Sequence, residues 1–414
     1  MSGIGALIGL AVGIFLIIRK FSPAYSLMFA ALLGGLMGGL DLNSVVSQML
    51  DGVRDMTPAI VRILAAGVLA GALVKTGSAE KIADFIIRTL GSGSVLAALV
   101  LAAFFLTLSG VFIDVAVITA APVALAVGSR ANLSRGAVLL AMIGGGKAGN
   151  VVSPNPNTIS AAEQFGAELS SVMLANWLPA LIGIFATIFI AWLISHRGVL
   201  LEGTDSAASP QSAEPLPNIF SALLGPLTTL ALLALRPLAG ITVDPFLALP
   251  AGGIVCILAT LNASRFRESL EYGLSKMSGV AILLIGTGTL AGIIKNSTLK
   301  EMVLGFLNWT NLPDVTLAPI SGALMSAATA STTAGATVAA SSFSEAILAA
   351  GITAIGGAAM INAGATVLDH LPHGSFFHAT AGSVQMPLSE RLKLIPYETL
   401  IGFCLALSSL LVNG

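Results

Sequence analysis

Residues 144–158 run Gly144-Gly145-Gly146-Lys147-Ala148-Gly149-Asn150-Val151-Val152-Ser153-Pro154-Asn155-Pro156-Asn157-Thr158, between flanks that read as membrane-embedded helix. Glycine and proline disfavour a helix interior by about 1 and 3 kcal/mol, so the stretch is expected to break the helix. Broken backbone at membrane depth is tolerated only where protein buries it or it lines a watery cavity. A polar break there is a candidate binding site. The membrane reading rests on composition: 56% of residues are hydrophobic and 9% charged, against about 25% charged in soluble domains. A net charge of −1 points to no nucleic-acid partner. Cys256 and Cys404 sit singly in apolar runs without metal-ligand spacing and read as small buried hydrophobes. Residues 1–18 carry no basic leader and read as a retained helix.

Apolar spans are expected over 4–18, 24–40 and 59–74, with 41–57 as a polar connector. In 79–90, Ile82, Phe85, Ile86 and Leu90 fall at helical spacing, which predicts an amphipathic helix along the membrane surface. Residues 94–127 are almost uncharged, with Asp114 as the sole charge. One crossing takes about 20 residues, so this run is two crossings or a re-entrant hairpin. Residues 134–165 hold the broken stretch, and 172–194 read as a clean span. After a Ser-, Ala-, Glu- and Pro-rich linker at 198–217, spans follow at 219–235, 246–261 and 280–294. An amphipathic 299–307, an uncharged 316–343, a second broken segment at 346–380 and a last span at 394–412 complete the chain.

The two halves repeat. Gly67-Val68-Leu69-Ala70-Gly71 matches Gly288-Thr289-Leu290-Ala291-Gly292, and Lys147-Ala148-Gly149-Asn150-Val151-Val152 matches Asn362-Ala363-Gly364-Ala365-Thr366-Val367. Pro154-Asn155 parallels Pro372-His373, and Trp177-Leu178-Pro179 parallels Ile395-Pro396-Tyr397, in one common order. Cytoplasmic loops collect Lys and Arg, and one arrangement puts Arg19-Lys20, 75–88, Arg130 with Arg135, His196-Arg197, 265–276 and Arg391 with Lys393 all on that side. Arg54, Arg236, Lys295 and Lys300 then lie opposite. In this arrangement 94–127 must enter and leave on the cytoplasmic side. The expected fold is an all-α polytopic membrane protein of the cell (inner) membrane. It has two inverted repeats, each with five membrane crossings, one of them a broken helix, plus one re-entrant hairpin. The first repeat is 1–197, with hairpin 94–127 and broken helix 134–165; the cytoplasmic linker is 198–217. The second is 218–414, with hairpin 316–343 and broken helix 346–380.

Inverted repeats with discontinuous helices are the structural basis of alternating access. Helix ends that stop in mid-membrane present unpaired N–H groups with positive partial charge, which bind carboxylates without arginine. Ser, Thr and Asn add donors suited to hydroxyl groups, so the ligand class is a small hydroxylated organic anion. Candidate substrate-binding residues at the tips (109–114 and 329–335) and breaks (144–158 and 367–375) are Ser109, Gly110, Lys147, Asn150, Ser153, Asn155, Asn157, Thr158, Ser331, Thr332, Thr333 and His373. Asp114 reads as a proton carrier or ion ligand, or as a cap of the following helix. Lys147 reads as a counter-charge to substrate, a partner of Asp114, or a structural cation.

A phosphate-loop reading of 144–147 fails, because Ala141 and Ala148 stand where Gly and Ser or Thr are needed. Asp369, His370, His373 and His378 form the other titratable cluster, with Asp369 and His370 as proton-coupling candidates. Pro372 and Gly374 speak against a helix that would set histidines on one metal-binding face, so neither metal nor cofactor is expected. Nor is an enzyme expected: Asp369, His370 and His373 are the only local set that an intramembrane enzyme could use. A passive channel with broken helices is the remaining rival.

Phe112-Ile113-Asp114-Val115, the run from Ser153 to Thr158 followed by Phe165-Gly166-Ala167-Glu168, and Gly292-Ile293-Ile294-Lys295-Asn296-Ser297 together resemble the gluconate/proton symporter (gluconate permease) family of the ion transporter superfamily. The resemblance runs from about Gly67 to the C-terminus. It implies an elevator-type transporter in the lipid bilayer, a homodimer, with proton-coupled symport of gluconate, a related sugar acid or a small hydroxycarboxylate. Sodium coupling is the alternative. The chain departs from the family pattern at Asn155, where a histidine stands between the two prolines, and at Asn157-Thr158, where Gly-Pro stands. Lys147 and the glycines before it also depart from that pattern.

Overall fold

Long apolar runs punctuated by Gly, Pro and polar caps leave this chain one regular backbone, the helix. The structure, a computed structural model, describes residues 1–90, 94–201, 215–310 and 312–414. Most of the expected 198–217 linker therefore lies outside the described residues. Among them the secondary structure is α-helix, short 3-10 turns and one isolated bridge between Ser134 and Leu200.

The first half holds α1 (Gly3–Ile18), α2 (Pro23–Met37), α3 (Leu42–Lys75), α4 (Ser78–Thr89), α5 (Val95–Leu108), α6 (Ile113–Arg130), α7 (Arg135–Asn150), α8 (Pro156–Gln164), α9 (Leu169–Ala175) and α10 (Trp177–Leu193). The second holds α11 (Ile219–Ala239), α12 (Pro245–Ala259), α13 (Phe266–Lys295), α14 (Leu299–Thr310), α15 (Leu317–Thr329), α16 (Thr332–Ala349), α17 (Ala354–Gly364), α18 (Ser375–Ser383), α19 (Leu388–Leu392) and α20 (Ile395–Asn413). The order of long and short helices is the same in both. Among the described residues five helical stretches are long and apolar enough to cross a membrane: Leu42–Lys75, Ile113–Arg130, Ile219–Arg236, Ala263–Lys295 and Leu388–Asn413. The α9–α10 pair qualifies as a sixth, bent by 44°, and α1, α2, α5, α12 and α17 are shorter apolar helices.

Several expectations are corrected. Residues 41–57 are not a connector: α3 runs unbroken for 34 residues. The Asp41 side chain accepts from the Asn43 and Ser44 N–H groups, capping the helix. Val45, Gly52, Met56, Ala59 and Ile63 form one buried stripe at helical spacing, so packing carries the helix through the polar residues and Pro58. The span expected over 172–194 bends at Asn176. The amide of Asn176 donates to the Val151 and Ala359 carbonyls, and its side-chain oxygen accepts from Ser409. Residues 346–349 finish α16. The second interrupted pair begins at Ala354, where the Thr353 hydroxyl accepts from Gly356 N–H as cap.

The stretch 144–150 is also corrected, because it is helical to Asn150 and buried throughout. Its glycines let neighbours approach. A Cβ at Gly144 would overlap Thr187 of α10, one at Gly145 the Val100 carbonyl of α5, and one at Gly146 would crowd Ile113 of α6. At about 100° per residue, three successive glycines thus admit three different helices. Gly149, one turn on, admits α5 again at Phe104 and Thr107. Close packing of small residues outweighs their poor helix propensity. Gly149→Val is expected to cost about 1–3 kcal/mol by overpacking, read as a lowered thermal midpoint in detergent; an unchanged midpoint would contradict this close approach.

The helices sort into two groups by packing. In one, α3 and α13 lie antiparallel: Gly52 meets Gly288 and Gly292, Gly67 meets Gly273, and Gly71 meets Ser269. Helix α12 packs on α3, α11 on α12, α2 on α13 and α1 on α2. In the other, α5–α6 and α15–α16 form two helical hairpins, wrapped with the interrupted pairs α7–α8 and α17–α18 and with α10 and α20.

Candidate functional site

The two breaks cross and satisfy one another. Lys147, in the last turn of α7, is fully buried and donates to the Thr366 carbonyl at 2.5 Å. Asn362, in the last turn of α17, donates to the Val151 carbonyl at 3.3 Å. Lys147 and Asn362 are 215 residues apart, and so are Val151 and Thr366. The contact is therefore reciprocal, as a twofold-related pair requires. Each side chain supplies a donor to a carbonyl that the neighbouring helix end leaves unpaired.

Lys147 also pairs with Asp369 Oδ1 at 2.5 Å and approaches His370 Nδ1 at 3.0 Å. It pairs with Asp369 rather than Asp114 because the crossing of the breaks brings 369, not 114, beside the α7 terminus. Asp369 Oδ2 accepts from Thr332 Oγ1 at 2.6 Å, which ties the α15–α16 tip to the second break. His370 Nδ1 also lies 3.1 Å from Asp369 Oδ1, and its Nε2 lies 3.2 Å from the Ile395 carbonyl and 3.1 Å from Thr399 Oγ1. The buried lysine thus has three partners, and its charge is compensated inside the protein.

The first break is braced by asparagines. The Asn155 amide donates to the backbone and side-chain oxygens of Asn150. As N-cap of α8, Asn155 Oδ1 also accepts from the backbone N–H and hydroxyl of Thr158. Asn157 donates to Asn362 Oδ1 at 2.6 Å, and Asn362 donates to Thr158 Oγ1 at 3.0 Å. Ser153 donates to the Asn150 carbonyl.

Beside this crossing lies a cavity of about 300 Å³. Both hairpin tips, the end of α7, the second break and the face of α13 all border it. Of the residues singled out by sequence, Asp114, Asn150, Ser331, Thr332, Thr333 and Asp369 line it. Asp114 is half-buried in the first turn of α6. It is not that helix's cap, which is Phe112 without a side-chain bond. The Ser331 hydroxyl caps α16 by accepting from Ala334 N–H. Asp369 faces the cavity with its charge already paired.

The other candidates do not border this cavity. Ser109 donates to the Phe105 carbonyl, and Gly110 makes the α5–α6 turn at φ +91°. Lys147, Ser153, Asn155, Asn157 and Thr158 are buried in the brace, and His370 lies behind Asp369. His373 Nε2 donates to the Ala328 carbonyl at 3.3 Å and His378 Nε2 to the Pro372 carbonyl at 2.8 Å. Sequence reasoning missed Lys276, Val280 and Ser375. Lys276 and Val280 are one turn apart on α13, but nothing in the sequence says that this face meets the hairpin tips. Arg391, counted as a loop charge, is fully buried against Glu398 with the Phe377 ring 4.5 Å away.

Ion pairs join the two helix groups elsewhere. Arg62 of α3 grips Asp244 through two nitrogens and also pairs with Glu163 of α8. Hydrogen bonding from this guanidinium holds the Asp244 carboxyl below the usual carboxylate range. Arg236 of α11 pairs with Glu168 at the start of α9.

The model of the family described as GntP family permease matches residues 1–249. That match begins at the N-terminus, ahead of the Gly67 at which the motif resemblance starts. A protein of Haemophilus influenzae described as an uncharacterized transporter is 52% identical over 414 residues, covering 100% of this chain and 98% of its own. The high-affinity gluconate transporter of Escherichia coli is 22% identical, covering 98% of each chain. The solved YdaH transporter of Alcanivorax borkumensis aligns with a TM-score of 0.66 at 16% identity, covering 97% of this chain and 98% of that one, a likeness of fold.

Proposed function

Because the chain belongs to the GntP permease family, we propose that this multi-pass membrane transporter performs proton-coupled symport of gluconate, a related sugar acid or a small hydroxycarboxylate. It sits in the inner membrane of a bacterium. The observation that carries the reading is the reciprocal crossing of the two breaks, Lys147 to Thr366 and Asn362 to Val151, beside a polar cavity bordered by both hairpin tips. The anion lies against the N-terminal ends of α16 and α18, whose free N–H groups carry positive partial charge. Asn150, Thr332, Thr333 and Ser375 meet its hydroxyls. Asp114 takes the coupling proton. The Lys147–Asp369–His370 cluster holds the second break in shape and links it to Thr332 at the tip.

The halves 1–197 and 218–414 act as inverted repeats, a reading supported by the equivalent long helices α3 and α13 running antiparallel. The group α1–α3 with α11–α13 is the scaffold, dimeric in the bilayer. The hairpins and interrupted helices move past it as an elevator. The rule that basic loops face the cytoplasm places the Lys276 end of α13, and with it the cavity mouth, on that side. Three of the four basic residues that run against the rule have acidic partners: Arg54 with Asp51, Arg236 with Glu168 and Lys295 with Asp55.

Counterflow in proteoliposomes tests the substrate class. Labelled gluconate, other sugar acids, lactate and glycerate are each presented against the same unlabelled acid inside. Saturable exchange of at least one is expected. A panel that gives no saturable exchange would sink the substrate claim, and flux that never saturates would favour a channel.

A further inference from the structure

The cavity is lined by three charged side chains, Asp114, Asp369 and Lys276. Asp369 is committed to Lys147 and Thr332. Lys147, the cation that the sequence brings forward as a counter-charge, has no surface exposed and holds three internal partners. Turning it toward a ligand would leave the buried Asp369 carboxylate without its lysine counter-charge, which costs several kcal/mol. An anion entering the cavity therefore meets one available positive side chain, Lys276.

Lys276 is exposed and has no carboxylate partner among the described residues; its Nζ lies 5.6 Å from the centre of the Tyr272 ring, whose other close cation is Lys75 at 5.1 Å. Lys276 and Val280, one turn apart on α13, form one wall of the cavity, with Tyr272 one turn before them on the same face. Asp114 and the tip hydroxyls, by contrast, stand on the hairpins. The wall and the tips thus belong to the two different helix groups.

We propose that Lys276 is a one-sided anion receptor: it binds the substrate carboxylate while the cavity faces the Lys276 end of α13 and loses it when the hairpins move away. This rests on the transporter reading above and adds a residue whose contribution depends on the face of the membrane. A charge at the rim of a site acts mainly through encounter rate and salt dependence. Its removal is therefore felt as half-saturation on one face, with the maximal rate little changed.

The test is exchange of labelled gluconate, or of whichever acid in the panel exchanges faster, in proteoliposomes where each face can be addressed separately. Lys276→Gln is expected to raise KM about tenfold on the face to which the cavity opens, and to flatten its salt dependence. KM on the other face should stay at the wild-type value, which also shows that the variant is folded. Lys276→Arg should restore the wild-type KM. Lys276→Cys modified with a cationic thiol reagent should recover affinity where a neutral reagent of equal size does not. Equal KM changes on both faces, or none on either, would overturn the proposal while leaving the transporter reading intact. Absence of saturable exchange by the wild-type protein would remove that reading and this one together.

Discussion

Lys147→Met is expected to lower the stability of the folded protein by about 3–5 kcal/mol, the usual result of stripping one partner from a buried ion pair. The Lys147 and Asp369 side chains are 0% and 2% exposed and 2.5 Å apart, so either charge left alone is buried without its counter-charge. Asp369→Asn is expected to cost a similar amount. The double variant Lys147→Met with Asp369→Asn removes both charges and should cost less than the sum of the two single changes. A coupling of about 0.5–3 kcal/mol is the range for residues in direct contact. Thermal unfolding of the four proteins in one detergent completes the cycle. Strict additivity would mean that the pair contributes no mutual stabilisation. Loss of Lys147 also frees the Thr366 carbonyl, so the double variant should not recover wild-type stability in full.

The second large effect concerns Asp114. Two negative charges 4 Å apart repel by about 4 kcal/mol at an effective dielectric of 20. An organic anion therefore loads against a protonated Asp114 far more readily than against an ionised one. One pH unit across the membrane is worth about 1.4 kcal/mol per proton, or about tenfold accumulation of substrate. With one proton moved per substrate, wild-type proteoliposomes that are one unit more acidic outside should accumulate about tenfold more substrate than those with no gradient. Asp114→Asn has a permanently neutral side chain at this place. Its accumulation should ignore the pH gradient, while exchange, which needs no net proton movement, continues. A variant that still concentrates substrate about tenfold per unit would transfer the coupling role to Asp369 or His370. Accumulation that follows a sodium gradient in the wild type would replace the proton altogether.

Residues 41–57 and 144–150 show where reading the chain from its composition stops. Both look unhelical, one because it is polar and the other because it is rich in glycine. Both are helix in the structure, because each offers a face that a neighbour covers. The first could have been read from Asp41 as cap and from the stripe Val45, Gly52, Met56, Ala59, Ile63. The second could not. The value of Gly144, Gly145 and Gly146 lies in α10, α5 and α6, which reach α7 only in the folded molecule. The candidate site divides in the same manner. Asp114, Asn150, Ser331, Thr332, Thr333 and Asp369 stand at helix ends that Gly, Pro and Ser mark in the sequence, and they do share one cavity. Asn155, Asn157 and Thr158 carry the same local signal but face inward to brace the break.

Local sequence by itself determined several helix starts, since Asn and Ser caps and Pro156 act within a few residues of themselves. It also determined that the chain lives in a membrane, because 9% charged residues cannot cover a soluble surface. Tertiary structure decided who partners whom. Lys147 and Asp369 are 222 residues apart in the chain, and only the crossing of the two breaks makes them neighbours. That meeting takes Lys147 out of the ligand's reach and leaves Lys276 facing the cavity. A buried charge must be neutralised by whatever lies beside it, and what lies beside it is a property of the packed helices.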